Sequence, residues 1–137
     1  MKLWQALIRP GLAPALSMVS SYAGSGPLAG DWKNENGLQD EFKGYELPID
    51  CIRTYQQAVK LHVQAVKTDD KQTFLWALEN YLSLYSVRID SGYINLIEES
   101  STLNSNIAKI YTELGDSKNS HIFTQRSNEI LERRRVG

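Results

Sequence analysis

Few side chains in this chain have the type and spacing that chemistry requires. The two histidines, His62 and His121, lie far apart, and neither has a Glu or His three or four positions away. Helical metal sites need such partners on the same face, so each reads as a surface or partly buried histidine. Asp69-Asp70 and Glu98-Glu99 are adjacent pairs. Neighbouring side chains on a helix point about 100° apart, which makes no catalytic dyad and suits solvated helix ends better. Cys51 is the only cysteine. It excludes an intrachain disulfide and reads as a reduced thiol buried on a helix face. The glycine-rich stretch "AGSGPLAG", residues 23–30, lacks the Lys-Ser/Thr that completes a phosphate loop. No catalytic, cofactor-binding or metal-ligating residue is assigned, no cofactor is implied, and the chain reads as a non-enzyme.

One charge cluster stands out: Arg133, Arg134 and Arg135, with Arg126 two turns earlier. Cations at a helix C-terminus complement its dipole. The functional reading is contact with an anion or an acidic partner, including nucleic acid, although Glu129 and Glu132 dilute the patch and no aromatic set accompanies it.

The elements that would position these residues follow from composition and periodicity. The chain has 137 residues, with 15 Lys+Arg against 16 Asp+Glu for a net charge of −1. That length suits one domain with a core of its own, and the balanced charge gives no overall pull toward nucleic acid or anionic lipid. No apolar run is long enough to cross a membrane.

Pro48 suits the first turn of a helix with Asp50 near its positive end, and Ile49, Ile52, Val59, Val63 and Val66 mark a face running to about Lys67. "TDDK" predicts a break, with Thr68 as N-cap. Leu75, Leu78, Leu82, Tyr85, Ile89, Gly92 and Leu96 then alternate at three- and four-residue steps, which predicts a long central helix from Asp69 to Glu99, about 45 Å in length. Tyr81, Leu84, Val87, Ile94 and Ile97 form a second apolar set, the mark of an enclosed helix. A β-hairpin over residues 86–97 is the competing reading. Ser101 or Thr102 should cap the next helix, whose face is Leu103, Ile107, Ile110 and Leu114 and whose stop is Gly115. A last helix spans about Asn119 to Arg135 with Ile122, Phe123, Ile130 and Leu131. The expected fold is all-α: a small antiparallel bundle of about four helices over residues 47–137.

Residues 1–46 read as a short helix, "KLWQALI" ended by Pro10, followed by an extended arm. Residues 11–46 carry six of the nine glycines, and Pro10, Pro14 and Pro27 are three of the four prolines. Such a segment cannot sustain a long helix, yet it is too rich in Leu, Trp, Phe and Tyr for a free linker. It is expected to dock its apolar side chains on its own bundle or on a neighbouring subunit, with Trp4, Trp32 and Phe42 as partner-binding anchors. The functional expectation is a structural or interaction subunit of a larger protein assembly, a homo- or hetero-oligomer of virion, tail or secretion-machine type, cytoplasmic or virion-associated. The alternative is an exported helical protein whose leader ends near Ala23. A weaker one is nucleic-acid or acidic-partner binding through the Arg-rich end.

Overall fold

The computed structural model describes residues 31–86 and 97–136. In chain order these form α1 (Gly37–Glu41), α2 (Ile49–Thr68), α3 (Lys71–Ser83), a 3-10 turn (Leu84–Ser86), α4 (Ser101–Glu113) and α5 (Ser117–Val136). The fold is an all-α antiparallel bundle, with no strand among the described residues. It is built from two helical hairpins, α2 against α3 and α4 against α5, each pair packing more extensively than the hairpins do on one another.

Local chemistry sets the boundaries. Pro48 is the N-cap of α2, and its carbonyl accepts from the amides of Cys51 and Ile52. The helix ends at Asp69, which adopts the left-handed conformation (φ 56°) and returns its amide to the Ala65 carbonyl at 2.7 Å. Asp70 then caps α3, its carboxylate accepting from the Thr73 amide at 3.1 Å and the Thr73 hydroxyl at 2.6 Å. The two adjacent aspartates thus end one helix and start the next. Thr68, the expected cap, is the last residue of α2 and donates its hydroxyl to the Gln64 carbonyl. A carboxylate one turn from an exposed amide accepts more strongly than a hydroxyl, so the cap moved to Asp70. At α4 the cap is Ser100 rather than Ser101 or Thr102, its Oγ accepting from the Leu103 amide at 2.9 Å. Gly115, at φ 81°, turns the chain out of α4, and Asp116 caps α5 through the Asn119 amide.

The predicted α4 face lies in the core: Leu103, Ile107 and Ile110 are fully buried and Leu114 packs against them. On α2 the buried stripe is instead Cys51, Tyr55, Ala58, Val59, His62 and Ala65, while Ile49 is exposed. On α3 it is Phe74, Ala77, Leu78 and Tyr81, leaving Leu75 and Trp76 outside. Of the positions read from the sequence, Val59, Leu78, Tyr81 and Leu84 are buried and Ile52, Val63, Val66, Leu82 and Tyr85 pack at the core's edge, while Ile49 and Leu75 lie outside and Tyr55, His62 and the alanines take central places. Regular α-helix stops at Ser83 and tightens into the 3-10 turn. The expected continuation through Ile89, Gly92 and Leu96, and the choice between helix and hairpin over 86–97, fall on residues 87–96, outside the described residues.

Residues 31–47 form a strap across both hairpins. Leu38, Phe42 and Leu47 are buried in the same core as the helices. Gly37 lets α1 come close: a Cβ there would meet the Tyr55 hydroxyl and the Thr102 methyl at 3.3 Å. Glu41 fastens the strap. Its carboxylate, 1% exposed, accepts from Ser100 Oγ at 2.5 Å, the Ser101 amide at 2.8 Å and Arg134 Nη1 at 2.7 Å. It therefore satisfies orphan amides at the start of α4 and meets the positive end of that helix.

Glu41→Ala is expected to lower the unfolding free energy by about 2–3 kcal/mol, the scale of losing charge-assisted hydrogen bonds at a buried carboxylate. Arg134→Ala should cost less, because its side chain keeps 38% of its exposure. Urea titrations followed by circular dichroism measure both, and an unchanged midpoint for Glu41→Ala would show that the carboxylate does not hold the strap.

Candidate functional site

The polar centre of the molecule lies beneath the strap. His62 on α2 is 1% exposed. Its Nδ1 is 3.1 Å from the Tyr81 hydroxyl on α3. Asn106 on α4 donates its Nδ2 to the Tyr55 hydroxyl at 2.9 Å and to Tyr81 at 3.3 Å. Trp32, from the strap, closes over His62 with ring centroids 4.0 Å apart. Three helices and the strap therefore converge on one chain of hydrogen bonds and stacked rings.

The electrostatics of this centre keep every member neutral. Burial, helped by the nearby Lys109 ammonium, lowers the His62 pKa to about 3. Burial raises both Tyr55 and Tyr81, with negative Glu41 adding to the shift at Tyr55. Cys51 is fully buried, and its thiol is raised by burial and by Asp50 beside it. A neutral imidazole that is 1% exposed and enclosed by three aromatic rings is shielded from solvent, so its chemistry is to accept or donate one internal hydrogen bond. Among the described residues no group of three or more His, Cys, Asp or Glu side chains could hold a metal ion. No described helix is long and apolar enough to cross a membrane.

The arginines of the last helix meet the bundle's own acids. Arg133 pairs with Glu99 at 2.5 Å, Arg134 with Glu41, and Arg135 with Glu132 at 2.5 Å. Arg134 also donates to the Glu99 carbonyl and lies 5.6 Å from the Phe42 ring centroid. Arg126 sits over the Phe123 ring at 4.8 Å. Its charge and hydrogen bond act against the rise of the Tyr85 pKa, which burial carries to about 12. Of the expected arm anchors, Phe42 is buried in the bundle core, Trp32 is half-buried on His62, and Trp4 lies outside the described residues. His121 is exposed, whereas His62 is deeply buried, contrary to its reading as a surface or partly buried histidine. The sequence reading also passed over Glu41 and Asn106. The signal for His62 was its phase: it follows Tyr55, Ala58 and Val59 at seven, four and three residues.

Comparison of the chain with protein-family models, with curated proteins and with solved structures finds no match. The function is therefore argued from the residues themselves.

Unfolded histidine titrates near 6.5, whereas folded His62 stays neutral down to about 3. Below pH 6.5 the unfolded chain takes up a proton that the folded chain refuses, so this contribution to stability is complete above 6.5 and is lost on acidification. The slope is about 1.4 kcal/mol per pH unit. His62→Phe should flatten the stability profile between pH 6 and 4 by roughly one proton's worth. Equal slopes for the two proteins would show that His62 is not held neutral by the fold.

Proposed function

We propose that this chain is a non-enzymatic interaction subunit of a larger protein assembly, of virion, tail or secretion-machine type, which grips neighbouring subunits through its N-terminal arm. The observation that carries this reading is the anchored strap. Leu38, Glu41 and Phe42 bind the bundle from within, and Trp32 packs on His62, so the strap that the arm joins is held on the body. The residues ahead of Asp31 include Leu3, Trp4, Leu7, Ile8, Leu12 and Leu16, more apolar bulk than a free linker carries. Trp32 and Phe42 serve as the inner fastening, and Trp4 is the anchor left for the neighbour. The adjacent Leu75 and Trp76, exposed on α3, add apolar surface that association would cover.

The test removes residues 1–30, because cutting further would strip Leu38 and Phe42 from the core. The truncated chain should keep the helical circular dichroism and melting temperature of the full chain. In sedimentation of native-host extracts it should leave the large complexes in which the full chain travels, and Trp4→Ala should shift the full chain part of the way. A full chain that sediments as a monomer, or a truncated one that stays in the same complexes, would reject the reading.

A further inference from the structure

Between α4 and α5 two clefts adjoin, sharing Ser105, Lys109 and Ser127 in their linings. The larger encloses about 230 Å³ and is completed by Ala108, Thr112, Thr124 and Asn128. Ser105 and Lys109 stand four residues apart on α4, and Thr124 and Asn128 four apart on α5. Each pair therefore shares a face of its helix. The polar side chains of both clefts are hydroxyls, amides and one ammonium, without a carboxylate.

The ammonium is the informative group. Lys109 is half-buried, and burial lowers its pKa. Its charge is felt as far as His62. Yet among the described residues it makes no ion pair, only a 2.9 Å hydrogen bond to Ser105 Oγ. The three C-terminal arginines, by contrast, each have an acid within 2.7 Å. A partly desolvated cation without a counter-charge is costly, and a bound anion offsets that cost.

The neighbours supply the remaining donors. Ser127 and Thr112 donate their hydroxyls to the Ser101 and Ala108 carbonyls. Ser105 accepts from Lys109 and keeps its own proton to give. Among the described residues no hydrogen bond engages the Thr124 hydroxyl or the Asn128 amide. We propose that this cleft binds a phosphate group, held by Lys109 Nζ, Ser105, Thr124 and Asn128. Donors from two helices suit a tetrahedral group with three acceptor oxygens better than a planar carboxylate.

The experiment titrates the full chain with inorganic phosphate, and separately with phenyl phosphate, at an ionic strength held constant with chloride. Amide chemical shifts provide the readout. Saturable shifts centred on Ser105, Lys109, Thr124 and Asn128 are expected. Lys109→Met and Asn128→Asp should each weaken binding at least about tenfold, a loss of one strong ionic contact or the addition of one repulsive one. Asn128 is exposed, so its substitution leaves the fold intact even if Lys109→Met does not. Tighter binding of phenyl phosphate would identify a phosphate carried on a larger molecule, and tighter binding of inorganic phosphate the free anion; either supports the site. Shifts that never saturate, that centre on Arg133–Arg135, or that survive both substitutions would overturn it. Removing residues 1–30 should leave this binding unchanged, so its failure and that of the assembly reading are distinguishable.

Discussion

Asn106 is the point on which the architecture turns. The two hairpins are each tightly packed but share a smaller surface, so their relative register has to be set by something other than apolar area. Apolar side chains tolerate sliding, whereas a buried amide that loses its acceptors is left with a desolvation cost. The Asn106 side chain reaches Tyr55 on α2 and Tyr81 on α3 from α4, and it is 2% exposed. One position of α4 against the other hairpin satisfies it. The tyrosines are held in turn by His62 and by their packing on each other, with centroids 5.8 Å apart.

The strap completes what Asn106 begins. Trp32 covers the polar centre on one side, and Glu41 ties α1 to the start of α4 and the end of α5. The Glu41–Arg134 contact joins positions 93 residues apart, and Glu41–Ser100 joins positions 59 apart. A chain segment poor in regular structure is thereby made part of the body. Its backbone bonds are few, so side-chain bonds to the helices offset the entropy of ordering it. The core is for this reason continuous from Leu38 through Ile110 rather than confined to the long helices.

How much of this was legible in the sequence depends on which residue types filled each face. The α4 stripe of Leu103, Ile107 and Ile110 stood out because branched aliphatics occupy it and little else on that helix is apolar. On α2 and α3 the read positions Val59, Leu78 and Tyr81 are buried, but Tyr55, His62 and small alanines hold the other central places while aliphatic Ile49 and Leu75 face outward. A pattern scored on aliphatic side chains rotates such helices by part of a turn. Tyrosine and histidine are tolerated inside here because they satisfy one another, and that pairing depends on Asn106, a residue from another helix. The ends of α2 and α4 and the start of α3 were visible to within a residue or two, since Pro48, Asp69-Asp70 and Gly115 act locally, whereas α3 was read through to Glu99 and its regular helix stops at Ser83. The arginine cluster was visible as composition, but its partners Glu41 and Glu99 lie too far along the chain to be read from spacing.

The distribution of charge links the fold to association. With a net charge of −1 over the whole chain and its terminal arginines matched to nearby carboxylates, the protein presents only a weak long-range field. Encounter with a partner then gains little from steering, and contact has to be stabilised at short range. Two kinds of group remain able to do so: apolar side chains that the bundle leaves outside, such as Trp76, and a cation that the bundle leaves without a counter-charge, Lys109. The first is indifferent to salt and the second is not. A subunit that combines them can hold a neighbour through greasy contact while leaving the partly buried Lys109 charge to a separate anionic group, so the two contacts respond to different solution conditions.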